Sequence, residues 1–235
     1  MHRSLALALT LSLVLAAPAL ANDAAFVAPS VSKALLILPP PPAPDSDVAK
    51  AELLELHRIE TTRTPAEADQ AKLDGENENI FLFRTVFGEG FTPEKLPGLS
   101  AFGKRVKGDE GLNTAPAKDG FLRVRPYNAD KTLKPVCKTT TKDNSYPSGH
   151  ATSGYLLALT LIDMVPEQRD AILARADGYA RSRLVCGVHY PSDLVAGRLM
   201  GYTIHAIMAA NPDYLRELAP ARTELRQALG LSAAN

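Results

Sequence analysis

The stretch Pro147-Ser148-Gly149-His150-Ala151-Thr152-Ser153-Gly154-Tyr155-Leu156-Leu157-Ala158-Leu159-Thr160-Leu161-Ile162-Asp163-Met164-Val165-Pro166 decides the fold. Pro-Ser-Gly-His reads as a turn and helix cap. The run behind it is almost wholly apolar and ends at Asp163 and Pro166. It is short for a membrane span, so it is expected to be a helix buried in a core.

Helical signals spread outward from this run. Pro166-Glu167 restarts a helix expected to reach about Leu184, and Pro191 opens another that ends near Ala210. Asn211-Pro212 begins a new segment, and Pro220 starts a last short helix toward Leu229. Upstream, Ser46 or Asp47 caps a helix over 48–60, with Leu53, Leu56 and Ile59 at helical spacing. Thr64-Pro65-Ala66-Glu67 is a capping box with proline at the first helical position. Its helix is expected to run to about Val86, before Gly88 and Gly90. Thr92-Pro93 starts a short helix stopped by Pro97-Gly98, and Ser100 to about Gly111 forms one more. Residues 112–149 read as a long loop, and a loop of that length points to function. The chain shows neither an internal repeat nor a sustained alternating strand pattern. The expected fold class is all-α, with one compact helical domain over 46–235.

The ends read differently. His2-Arg3 precede an apolar stretch from Leu5 to Ala17, and Ala19-Leu20-Ala21 offers small residues for cleavage before Asn22. Residues 1–21 are therefore expected to be a signal peptide, which predicts a periplasmic or secreted protein. Residues 22–45 form an arm containing Pro39-Pro40-Pro41-Pro42-Ala43-Pro44, expected to be extended because proline has no amide donor.

Composition narrows the function. The 26 basic and 26 acidic residues cancel, and loss of Arg3 with the leader leaves 25 against 26. This balance argues against a broad nucleic-acid-binding face but allows a small cationic pocket. The two cysteines, Cys137 and Cys186, would close a loop of about 50 residues if bridged, as an oxidising compartment permits. The alternative is two buried thiols.

Three segments carry chemistry. Lys118 and Arg125-Pro126 offer a compact charge and a planar fork for phosphate oxygens. Ser148-Gly149-His150 opens a helix, whose free amides suit an anion. Ser182-Arg183 adds a second fork, and His189 with Asp193 stands one helical turn apart. His189 is the candidate nucleophile, Asp193 the carboxylate that orients it, and His150 the candidate general acid. Such a set can break a phosphate monoester with no metal or other cofactor. No two histidines stand at zinc-ligand spacing. Asp109-Glu110 and Asp143 read as exposed loop charges, His57 as helix surface, and His205 as core or interface.

At these residues the chain resembles the PAP2, or acid phosphatase and vanadium-haloperoxidase, superfamily. That pattern is Lys-x6-Arg-Pro, then Pro-Ser-Gly-His, then Ser-Arg-x5-His-x3-Asp. Lys118 with Arg125-Pro126, Pro147 through His150, and Ser182-Arg183 with His189 and Asp193 match it without a gap. Leader, size and the upstream helical region resemble the bacterial class A non-specific acid phosphatases. Asn144 and Ala151 stand where those enzymes usually have Gly and Thr.

The resemblance implies hydrolysis of many small phosphomonoesters at acidic pH, with transfer to alcohols in some relatives. It implies Lys118, Arg125, Ser148, Gly149 and Arg183 around the phosphate, His189 as nucleophile and His150 as general acid. It also implies inhibition by phosphate or vanadate, and a homo-oligomer in some relatives. Two other readings fit the same pocket: a vanadate-dependent haloperoxidase, and a periplasmic phosphate-binding protein without turnover. A lipid phosphatase would need spanning helices, which the sequence does not offer. Neither nucleic acid nor membrane is an expected partner.

Overall fold

The computed structural model describes residues 25–232; the leader, residues 1–21, lies outside them. The described residues form eleven α-helices and no strand. Four are single turns: α1 (Pro29–Ser32), α2 (Ala34–Ile37), α5 (Arg84–Phe87) and α7 (Pro126–Ala129). The others are α3 (Asp47–Thr62), α4 (Pro65–Glu76), α6 (Pro97–Phe121), α8 (Gly149–Met164), α9 (Arg169–Val185), α10 (Pro191–Met208) and α11 (Pro212–Ala228).

The apolar run is the axis of this bundle. Ser148 caps α8 by accepting from the Ala151 amide at 3.4 Å. Every residue from Ala151 to Ala158 is buried, as are Thr160, Leu161 and Met164. Around α8 pack α6, α9, α10 and α11. Leu156, Leu157, Leu161 and Met164 are fully sealed among Tyr179, Met200, Ile204 and Tyr214. Each such aliphatic side chain contributes about 1.5–3 kcal/mol by leaving water. The closest approach is to α10. A Cβ on Gly197 would stand 2.7 Å from the Ser148 carbonyl oxygen, and one on Gly201 2.9 Å from that of Thr152. Glycine there lets the two backbones touch.

Several expected boundaries move. The capping box at Thr64 forms, but α4 ends at Glu76, and a separate 3-10 turn over Ile80–Phe83 follows. Asn79 caps that turn by accepting from the Phe81 amide. Thr92-Pro93 makes only a turn. Pro97-Gly98 begins a helix instead of stopping one, because Glu224 accepts from the amides of Gly98 and Leu99 at 3.0 and 2.7 Å. Pro220 lies inside α11 and starts nothing new.

The largest departure is α6, which carries on through Pro116 to Phe121. An interior proline costs a helix about 3 kcal/mol. Burial along one face outweighs it, through Val106, Asp109, Asn113, Thr114 and Ala117. Asp109 and Glu110 are thus not exposed loop charges. Asp109 accepts from the amides of Ala25, Phe26 and Val27 at 2.6–2.8 Å, and Asn113 donates to the Val27 carbonyl. This clasp holds the start of the arm on the helix. The arm is extended over 38–43 but forms two helical turns before it, and Tyr146 Oη donates to the Pro39 carbonyl.

Cys137 and Cys186 are bridged. A cross-link spanning 49 residues restricts the unfolded chain by about 4 kcal/mol on the loop-entropy account. The Cys137→Ser/Cys186→Ser double variant is expected to lose stability on that scale. Urea unfolding of the variant measures it, and a loss below about 1 kcal/mol contradicts the account.

Candidate active site

The helix order delivers the motif residues to one place. Gly187 turns the chain after α9 with φ +72°, a conformation that favours glycine. His189 follows at once, and α10 carries Asp193 in its first turn. Because α10 lies against the start of α8, the His189–Asp193 pair meets the Pro147–His150 turn. The Ser148 amide donates to the Asp193 carbonyl at 3.0 Å. A cavity of about 360 Å³ opens there, lined by His189, His150, Arg125 and Arg183 with Gly75 and Thr140. A larger hollow of about 610 Å³, around Asp74 and Arg175, holds neither histidine.

His189 is 2% exposed and held at both ring nitrogens. Nδ1 lies 3.1 Å from Asp193 Oδ2, and Nε2 lies 3.2 Å from an Arg125 amino group. A guanidinium only donates, so Nε2 accepts, and the proton sits on Nδ1, facing the carboxylate. Burial, then Arg125, Lys118 and Arg183, push the His189 imidazole well below its usual range. The ring is neutral, with Nε2 at the cavity wall accepting from Arg125.

Asp193 is fully buried. Its Oδ2 also accepts from Ser145 Oγ at 2.5 Å and from the Tyr190 amide at 2.9 Å. Its Oδ1 accepts from Arg123 at 2.6 Å. Burial pushes this carboxyl up, while Arg123 and the hydrogen bonds from Ser145 and Tyr190 oppose it. Both oxygens face donors only, which leaves no place for a proton. Arg123 reaches on to Glu52 at 2.7 Å and stacks 4.0 Å from the Tyr190 ring centroid. The sequence reading missed Arg123, Glu52 and Ser145. Arg123 stands two residues before Arg125, and Glu52 lies on the distant α3, so no local pattern marked this buried ionic chain.

Arg183 turns its guanidinium to the cavity, and its Nε is buried without an acceptor among the described residues. Arg125 is fixed by the Asn144 side chain and the Val188 carbonyl. Asn144, which replaces a glycine in the pattern, thereby orients a motif arginine. The amides of Gly149 and His150, first in α8, find no acceptor among the described residues. These are spare donors of the kind an oxyanion takes up.

Lys118, Ser148 and Gly149 are close by but do not line the cavity. Lys118 sits in the last turn of α6, not in a loop. Its ammonium donates to the carbonyls of Pro147 and Asn144, so it braces the turn from behind. Burial pushes it down to about 8. Ser148 Oγ accepts the helix-cap bond, and its hydroxyl proton is free to donate.

His150 is half-buried and stacks on Tyr179, ring centroids 5.9 Å apart. Its Nε2 donates to the Gly75 carbonyl at 3.2 Å. Burial, then Arg183, push it down to about 4, against the pull of Glu78. The other described histidines lie beside carboxylates. His57 meets Glu60 and Asp130 on the half-exposed side of α3, and His205 lies 2.8 Å from Asp163. Asp143 is exposed. Among the described residues no cluster of three His, Cys, Asp or Glu side chains could hold a metal ion. None of their helices is long and apolar enough to cross a membrane.

Known proteins similar to this chain point to one family. The family model of the PAP2 superfamily matches residues 109–217. The chain is 30% identical over 199 residues to a non-specific acid phosphatase of Providencia stuartii, covering 81% of this chain and 79% of that one. It is 31% identical over 211 residues to an acid phosphatase of Zymomonas mobilis, covering 84% and 77%. Among solved structures, a transmembrane PAP2-type phosphatidylglycerolphosphate phosphatase of Bacillus subtilis superposes with a TM-score of 0.53 at 18% identity, over 71% of this chain and 87% of its own. A bacterial vanadium-dependent iodoperoxidase gives 0.58 at 18% identity, over 75% and 52%. These two share the helical fold. With its relatives matched over most of their length, the chain belongs to the PAP2 superfamily.

Proposed function

We propose that this protein is an acid phosphatase that hydrolyses a broad range of small phosphomonoesters through a phosphohistidine. One observation carries the reading: His189 is tied through Nδ1 to a buried carboxylate and presents Nε2 to a cavity with two guanidiniums. A neutral imidazole so oriented is an activated nucleophile. Its relatives named acid phosphatase support the same reaction class.

The phosphoryl group binds between Arg125, Arg183 and the amides of Gly149 and His150, with Lys118 supporting the turn. His189 Nε2 attacks phosphorus as the ester P–O bond breaks. His150 gives a proton to the departing oxygen. The Nδ1–H bond to Asp193 steadies the charge that develops on His189. In the second step a water gives its proton to His150 and attacks phosphorus, and the N–P bond breaks. An alcohol in place of that water gives phosphotransfer. A simple phosphate-binding protein has no use for an oriented lone pair. A small-molecule cavity, together with the leader expected over residues 1–21, fits work in the periplasm or outside the cell.

The pH dependence has a definite sign. His189 lies well below its usual range, so it stays a free nucleophile into acid. His150, held at about 4, is mostly unprotonated near neutrality. The leaving-group proton is then supplied by His150 at low pH, and loss of its charged form as pH rises sets the alkaline limb. Turnover of p-nitrophenyl phosphate, measured from pH 3 to 8 with EDTA, is expected to peak between about pH 4 and 6. It is expected to fall above that range and to be insensitive to EDTA. No turnover at any pH sinks the proposal and favours the haloperoxidase reading.

A further inference from the structure

Behind His150 lies an ionic cluster that the proposed reaction leaves idle. Glu78, between α4 and the 3-10 turn, brings Oε1 to 3.8 Å from His150 Nδ1. Ser153 Oγ, on the next turn of α8, donates to the same oxygen at 2.8 Å. The other oxygen holds Lys107 Nζ at 3.1 Å, and Lys107 lies 3.9 Å from Glu110. On its far edge the His150 ring is fixed by Gly75, and on its face by Tyr179. The second ring proton of His150 therefore arrives on the nitrogen that faces a carboxylate.

The surrounding charges compete. Arg183 on α9 and Lys107 on α6 oppose a protonated His150, while Glu78 favours it. Burial also works against an ionised Glu78, but His150, Lys107 and Ser153 outweigh it and leave this carboxyl below its usual range. Glu78 is then an anion at the pH where an acid is wanted. Glu110, pushed up to about 7 by burial and by Glu78, is protonated there, so Lys107 is left to Glu78 alone.

We propose that Glu78 is a positioning residue that holds His150 through its Nδ1 proton and favours the charged ring, leaving the Nε2 proton, on the edge beside Gly75, to be lent to the leaving group, with Lys107 setting the strength of that hold. This rests on the general-acid reading of His150. The proton passes from His150 to the ester oxygen as the P–O bond breaks, and the ring becomes neutral. A proton from the attacking water restores it. Glu78 stays a carboxylate throughout and touches no reacting atom.

The test compares kcat against pH for p-nitrophenyl phosphate, whose leaving group needs little help, and glycerol phosphate, whose leaving group needs a proton. In Glu78→Gln the alkaline limb is expected to move down by about one pH unit, as loss of a neighbouring opposite charge requires. Glycerol phosphate is expected to suffer roughly tenfold more than p-nitrophenyl phosphate. Lys107→Ala should move the limb the other way, and Glu78→Asp should recover part of the loss. A merely structural Glu78 lowers kcat equally at every pH and for both esters, and that result overturns the inference. His150→Ala separates the two layers of the argument. If it spares glycerol phosphate turnover, the general-acid reading fails and takes Glu78 with it. If it selectively destroys that turnover while Glu78→Gln leaves the limb unmoved, only the role of Glu78 is lost.

Discussion

The His189→Ala enzyme is expected to lose at least roughly 10⁴-fold in kcat on every phosphomonoester while still binding phosphate. Alanine removes the ring nitrogen Nε2, which is unprotonated and aligned through Nδ1 by the Asp193 carboxylate. It leaves Arg125, Arg183 and the helix amides in place, so the anion site survives. The loss is therefore expected in kcat, with a phosphate Kd within a few-fold of the parent. Rapid quench of labelled substrate into alkaline denaturant, which preserves the N–P bond, gives a second readout: the parent carries a phosphoryl label on His189, and the variant carries none. Retained turnover would mean that water attacks directly and that His189 has another task. Lost binding together with lost turnover would point to a collapsed site instead.

The second large effect is on stability, at a residue with no part in the chemistry. Arg123→Met should destabilise the fold by about 3–5 kcal/mol, the scale for removing one partner from a buried ionic group. Arg123 is the cation between Glu52 and Asp193, and all three side chains are at most 8% exposed. Methionine fills much of the space but strands two carboxylates. These can respond only by taking up protons, so the variant should recover stability as pH falls and both carboxyls become neutral. Urea unfolding at pH 7 and pH 4.5 checks both the size and the direction. A loss under 1 kcal/mol at pH 7 would show that water reaches the carboxylates. Activity should fall too, because Asp193 then carries a proton where it should accept one from His189.

These expectations draw on parts of the chain of unequal legibility. The helical class, the core run over 151–165 and the pairing of His189 with Asp193 could be read from sequence, while the convergence of His150, Arg125 and Arg183 on that pair was implied by the family resemblance. Spacing within one turn fixes direction, and apolar runs fix burial. The reach of α6 could not be read, because its glycines and Pro116 argue for a loop. What overrides them is tertiary: the Asp109 clasp on residues 25–27 and a buried face against α8. Sequence alone therefore puts Lys118 in a loop, whereas it lies in the last turn of α6. Glu78, Arg123 and Glu52 were invisible for a related reason. Each meets a partner 70 or more residues away, on a distant segment, and a lone charge in sequence carries no sign of its mate.

The close seating of α10 on α8 through Gly197 and Gly201 divides the labour of the site. The spacing of the two histidines is written in main chain against main chain, where a side-chain exchange elsewhere has little leverage. The opposite rim, with Lys72, Lys138, Thr139 and Thr140, belongs to other segments and bears no part of that spacing. Its residues can be exchanged for larger, smaller or oppositely charged ones while the reacting pair keeps its distance. Such a scaffold is evolvable in a particular way: the set of esters it admits can drift while its chemistry stays constant.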